Sequence, residues 1–143
     1  MPINRFRSGF ESQIAQDLEA RDVPFSFEEE TFDYISTVRG GVCTACGSTK
    51  TGKKRKYTPD FIIHVTSRRL SRRPLVVEAK GRFPSTDRSK MRDVRKAHPE
   101  MDIRILFQKR SKKQVAIVAT WCDKNNFDYA FGTSVPQEWL DYD

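Results

Sequence analysis

The chain has 143 residues, enough for one hydrophobic core and too few for two ordinary domains, so one unit spanning 1–143 is expected. Apolar residues make up 37% and charged residues 31%, which excludes a disordered chain; no apolar run approaches the ~20 residues of a bilayer span, and MPINRFRSGF lacks a signal-peptide core, so the expectation is cytoplasmic, with no membrane partner. Lys and Arg number 26 against 19 Asp and Glu, a net +7, and the excess is concentrated: between Lys50 and Lys80 ten basic residues face only Asp60 and Glu78. A field of that sign attracts phosphate polymers. Gly52, Pro59 and Pro74 interrupt the segment and exclude the basic amphipathic helix that a membrane surface would select, so nucleic acid is the expected partner.

In chain order, residues 8–22 predict a helix, with Ser8 as N-cap, Glu11 three residues on, and Phe10, Ile14 and Leu18 on one face. Phe25, Phe27, Phe32 and Tyr34 predict an extended stretch interrupted by the acidic run Glu28-Glu29-Glu30. Residues 39–56, rich in Gly, Thr, Ser and Lys without apolar period, predict an exposed loop or insertion. Residues 61–65 and 75–80 are apolar runs of strand length around a basic turn, which predicts a β-hairpin. Residues 85–98 predict a helix capped at Ser85, with Met91 and Val94 as a narrow apolar stripe, and 103–107 a strand buried on both sides. For 115–126 periodicity does not choose between helix and strand; 127–131 predicts a last strand and 135–140 a final turn. The order is that of an α/β protein in which helices flank a mixed sheet.

The chemistry concentrates at Pro59-Asp60 and Glu78-Ala79-Lys80. Side chains alternate along a strand, so Glu78 and Lys80 share a face with Ala79 turned away, and the hairpin folds Asp60 back beside them. Two carboxylates held together at the edge of a core repel unless a cation joins them, and a hard ion with oxygen ligands suits them, which predicts Mg²⁺. The carbonyl of Ala79 is a further candidate ligand. Such a site can activate water against a phosphodiester. Lys80 could position the water, accept its proton, or stabilise the developing charge, and the spacing leaves these three open. An exposed ion pair would explain Glu78 and Lys80 equally, and Ser8 with Glu11 also reads as a capping box.

Four segments carry a resemblance: Phe6-Arg7-Ser8-Gly9-Phe10-Glu11, Tyr57-Thr58-Pro59-Asp60-Phe61, Val77-Glu78-Ala79-Lys80-Gly81 and His98-Pro99-Glu100-Met101-Asp102-Ile103-Arg104-Ile105. In order and spacing they resemble the bacteriophage endonuclease I family, Holliday-junction resolvases with a restriction-endonuclease-like PD-(D/E)xK core, and Pro136-Gln137-Glu138-Trp139 looks like its closing motif. The resemblance implies Glu11, Asp60, Glu78 and Lys80 as the catalytic set, Asp60 and Glu78 on one metal and Glu11 helping with a second. Mg²⁺ is the expected ion and Mn²⁺ an expected substitute. It also implies a domain-swapped homodimer, with Glu11 from one chain and the other three residues from its partner, acting on four-way junctions and branched DNA in the host bacterial cytoplasm. Arg5, Arg7, Arg82, Arg88, Lys90 and Arg95 are the candidate DNA contacts, and Arg68, Arg69, Arg72, Arg73 and the basic residues of 109–113 are further ones.

Residues 39–56 are longer than the family's usual link and contain Cys43-Thr44-Ala45-Cys46-Gly47, half of a zinc knuckle. A structural zinc needs four ligands, so two reduced thiols are expected, and a Zn²⁺ shared by Cys43 and Cys46 of two chains is the alternative. With Cys122 the cysteines number three, which argues against a disulfide framework. Two other functions compete: a nuclease of the same core acting on mismatched or duplex DNA, and a DNA-binding module without catalysis.

Overall fold

A computed structural model of the chain describes residues 9–36, 52–64, 75–109 and 111–141. Ser8, Arg5, Arg7, Cys43, Cys46 and the arginines of the hairpin turn lie outside them. The chain runs α1 (Gly9–Ala20), β1 (Phe25–Phe27), β2 (Phe32–Ile35), β3 (Lys54–Tyr57), β4 (Phe61–Ile63), β5 (Leu75–Lys80), α2 (Ser85–Ala97), β6 (Asp102–Phe107), α3 (Lys112–Lys124), β7 (Tyr129–Phe131) and α4 (Gln137–Asp141). Five strands form a mixed sheet in the order β1-β4-β5-β6-β7, antiparallel as far as β5 and parallel beyond it, while β2 and β3 form a separate antiparallel pair.

Alternation along the strands builds two cores, one on each face of the sheet. Phe61, Ile63, Leu75, Val77 and Leu106 point to the face covered by Phe10, Ile14 and Leu18 of α1 and by Trp139 and Leu140 of α4. Ile62, Val76, Ile103, Ile105 and Phe107 point to the other, where Met91 and Val94 of α2 and Cys122 of α3 meet them. Each fully buried aliphatic side chain contributes about 1.5–3 kcal/mol, so the two-sided strands at the centre carry much of the fold. Arg104 is the exception inside β6; its guanidinium is engaged bidentately by the Asp102 carboxylate at 3.0 and 3.1 Å and lies over the Trp139 ring.

Three sequence expectations change. Lys54–Tyr57 is a strand rather than part of a loop: it pairs with β2, Asp33 opposite Lys56 and Phe32 opposite Tyr57, and only Tyr57 is buried. An apolar period cannot report a strand whose other three residues face water. Helix α2 is preceded by Pro84 as its N-cap, with no side-chain bond, and Ser85 is its first helical residue. The final turn is the short helix α4. The ambiguous stretch is the helix α3, where the Ser111 side chain accepts from the Gln114 N–H at 3.4 Å. No helix among the described residues is long and apolar enough to cross a membrane.

Candidate active site

The hairpin brings the two motifs together. Phe61 pairs with Val77 in the antiparallel β4–β5 register, so Asp60, one residue earlier, comes opposite Glu78, one residue later. The two turns of chain then bond each other reciprocally. The Asp60 N–H donates to Glu78 Oε1 at 3.1 Å and the Ala79 N–H donates to Asp60 Oδ2 at 2.9 Å. The Tyr57 hydroxyl donates to the same Glu78 Oε1 at 2.6 Å. Lys80 follows on the same face as Glu78, with Nζ 3.5 Å from Glu78 Oε2 and 3.6 Å from Asp87 Oδ2 on α2. Ala79 turns to the opposite face and packs against the α1 core, as strand alternation requires.

Glu11 reaches this point from the other side of the sheet. It lies in the first turn of α1, is 8% exposed, and belongs to the same chain as Asp60. One carboxylate oxygen each from Glu11, Glu28 and Asp60 lie within 4.8 Å of one another. Glu28 was not singled out as a site residue from the sequence, where it is only the first of an acidic run. It follows β1, whose Phe27 pairs with Phe61, and its N–H donates to the Asp60 carbonyl at 3.0 Å from a backbone with φ of 50°. The break in an aromatic strand by carboxylates was the one signal available.

A cleft of about 570 Å³ opens over this group, lined by Gly9, Glu11 and Gln13 of α1, by Asp60, and by Ala79, Lys80 and Gln108. It sits outside the C-terminal end of β5, the end of parallel strands where open α/β sheets bind ligands. A neighbouring cleft of about 540 Å³ shares Gly81 and Gln108 but is walled by Phe83, Phe107 and Phe131 and contains no carboxylate. The second is lined by Arg82 and Arg88 instead, so the carboxylate chemistry belongs to the first.

Burial, and next to it the charge of Glu78, push the Asp60 carboxyl up to about 8, against a partial opposing pull from the Ala79 N–H. Burial draws the Lys80 ammonium down, but Glu78, Asp87 and Asp60 together outweigh it and hold it above its ordinary value. The Tyr57 phenol is raised well above its usual range, first by burial and then by the Glu78 charge. Glu11, Glu28 and Asp60 bring carboxylate oxygens together there, the donor chemistry of a hard divalent cation.

Of the candidate DNA contacts that are described, Arg82 is exposed beside Lys80. Arg88 donates from Nε to the Phe83 carbonyl at 3.0 Å, Lys90 lies 5.5 Å above the Tyr57 ring, and Arg95 lies 4.4 Å above the Phe127 ring. These three use part of their side chains to pack α2. Cys122 is buried, its thiol pushed up to about 12 by that burial, and His64 shares a 2.9 Å hydrogen bond with Ser26 Oγ.

Residues 2–143 match the family model described as phage endonuclease I. The chain is 29% identical over 142 residues to Endonuclease I of Escherichia phage T7, covering 96% of this chain and 80% of that protein. It is 28% identical over 129 residues to Endodeoxyribonuclease 1 of Enterobacteria phage T3, covering 87% and 70%.

Proposed function

Because the chain belongs to the phage endonuclease I family, we propose that it is a metal-dependent DNA endonuclease that cuts four-way junctions and other branched DNA by paired phosphodiester hydrolysis. The observation that carries this reading is the reciprocal lock between Asp60 and Glu78. The Ala79 N–H holds Asp60 Oδ2 and the Asp60 N–H holds Glu78 Oε1, so that Glu78 Oε2 faces Lys80 and Asp60 lines the cleft with Glu11 and Lys80. Asp60 on β4's approach and Glu78-Ala79-Lys80 on adjacent β5 also support a restriction-endonuclease-like core in one nuclease unit over 1–143.

The donor set fits Mg²⁺, with Mn²⁺ as a substitute. Three carboxylate oxygens lie within 4.8 Å, and a carboxyl raised to about 8 ionises readily only when a cation compensates it. Asp60, Glu78 and the Ala79 carbonyl would hold one ion, and Glu11 with Asp60, joined by Glu28, a second. Bound there, the metal supplies Lewis-acid activation of water and neutralises charge at the phosphoryl group. Lys80, with Nζ 3.5 Å from Glu78 Oε2, is placed to position the attacking water, take its proton or stabilise the charge developing on the phosphoryl group. Arg82, exposed two residues after Lys80, is placed to meet a phosphate; Arg88, Lys90 and Arg95 of α2, and Arg5 and Arg7 by their position in the sequence, are the further proposed contacts. Phosphate contacts read shape and position rather than base sequence, which suits a branched substrate in a phage-infected bacterial cytoplasm.

The functional unit in this reading is a domain-swapped homodimer. The segment 37–51 separates α1, β1 and β2, which carry Glu11 and Glu28, from β3 onward, which carries Asp60, Glu78 and Lys80. The same β1–β4 pairing made between two chains would complete two sites related by a two-fold axis, as two opposed nicks require. A nicking assay on an immobile four-way junction and a linear duplex of the same sequence tests the function. Wild type with Mg²⁺ should nick opposed strands of the junction and spare the duplex, and Asp60→Ala should lose cleavage by more than about a hundredfold, beyond what a lost outer-shell partner costs. Equal cutting of the duplex would overturn the junction reading, and cutting by Asp60→Ala would overturn the site.

A further inference from the structure

We infer that Tyr57 is a positioning residue for the metal site: its buried hydroxyl locks the Glu78 carboxylate so that Oε2 is the oxygen presented to the cation. The inference rests on the metal reading above and deepens it.

Tyr57 closes β3, a strand whose other residues are exposed, and is itself 1% exposed. Its ring belongs to the core of Met91 and Val94, with the Lys90 ammonium 5.5 Å above it. A phenylalanine would supply that packing. A buried hydroxyl without a partner is destabilising, so its presence asks for a bond, and the bond is the 2.6 Å donation to Glu78 Oε1. Glu78 is 3% exposed and receives its donors unequally. Oε1 takes both the Tyr57 O–H and the Asp60 N–H, while Oε2 faces the Lys80 ammonium at 3.5 Å.

Two donors on one oxygen and an ammonium on the other fix the plane of the carboxylate before any ion arrives. A ligand already oriented loses little rotamer freedom on binding, and partners that orient a ligand in this way are commonly worth 10–100-fold in metal affinity. The two-stranded β2–β3 unit, which lies outside the main sheet, thereby has a task at the site: it delivers one hydroxyl to one ligand.

The test measures Mn²⁺ binding to DNA-free protein from the electron paramagnetic resonance signal of the free ion. Tyr57→Phe is compared with wild type and with Val94→Ala, which disturbs the same core without touching Glu78. Tyr57→Phe should bind Mn²⁺ about 10–100-fold more weakly. Its junction cleavage should recover as Mn²⁺ is raised, and junction affinity without metal should be unchanged. Val94→Ala should lose thermal stability and keep wild-type Mn²⁺ affinity. Replacing Tyr57 with p-aminophenylalanine, which returns a donor to the same ring position, should restore binding and serves if the phenylalanine variant fails to fold. Wild-type affinity in Tyr57→Phe, or equal losses in Tyr57→Phe and Val94→Ala, would overturn the inference alone. No Mn²⁺ binding by wild type would overturn the metal reading and this inference with it.

Discussion

At the scale of single residues, the site gathers buried and half-buried carboxylates, an arrangement that costs the folded protein stability and that a bound cation would relieve. Asp60 is the clearest case, because its carboxyl is raised to about 8 by burial and by Glu78, far above the 3.8 of a free aspartate. The sign follows directly: between these two values the folded state holds a proton that the unfolded state has released, so folding stability from this group falls as pH rises from about 4 to about 8 and then levels. Melting temperatures in chelator across that range should show the decline in wild type and lose it in Asp60→Asn, which has no proton to release. At neutral pH without metal the variant should be the more stable protein and inactive, the usual conflict between a site's chemistry and its stability. A decline of equal size in both proteins would assign it elsewhere. Of these residues, Asp60, Glu78 and Lys80 were readable because strand alternation and a hairpin bring them together whatever else the chain does. Glu28 and Tyr57 were not, because each reaches the site through a pairing between segments distant in sequence.

At the scale of elements, legibility followed burial. The hairpin of β4 and β5 and the helices α1 and α2 were predicted because a buried face imposes a period on the sequence. β3 was missed for the opposite reason, since Lys54, Arg55 and Lys56 face solvent and the strand is specified by its cross-strand partners. Lys56 and Lys54 lie 3.2 and 3.5 Å from Asp33, and hydrogen bonding to Lys56 together with both charges holds the Asp33 carboxyl below its ordinary value. The β-branched run in α3 concealed a helix because only Cys122 of its residues is fully buried. The sheet's dependence on its central parallel pair can be measured. Leu106, wholly buried on β6, should cost about 2–5 kcal/mol when changed to alanine, read from the urea midpoint at unchanged slope. A loss under about 1 kcal/mol would mean that the α1 face collapses to fill the space.

At the scale of the whole molecule, the question is which chains share a site. The described chain completes Glu11 with its own Asp60, and the proposed swapped dimer would make the same contact between partners. The two arrangements differ in a mixing experiment. Glu11→Gln and Glu78→Gln variants should each be inactive. Co-refolded as a swapped heterodimer, one site would contain both lesions and the other neither, so each heterodimer should nick the junction at about half of the wild-type rate per dimer, from one working site of two. Without the swap every site keeps one lesion and the mixture stays inactive. Only single nicks are expected from the rescued heterodimer, since one working site cannot open both strands.

The amino-acid sequence by itself determined the alternating cores, the hairpin, and the juxtaposition of Asp60 with Glu78 and Lys80, because each follows from local period and short connections. Its motifs also carried the family, through residues spread across the chain. Only the tertiary structure decided that β3 is a strand, that Glu28 joins Glu11 and Asp60, and that the Tyr57 hydroxyl ends on Glu78. Those contacts join segments through register and through exposed or polar side chains, and such residues leave no hydrophobic period from which their partners can be read.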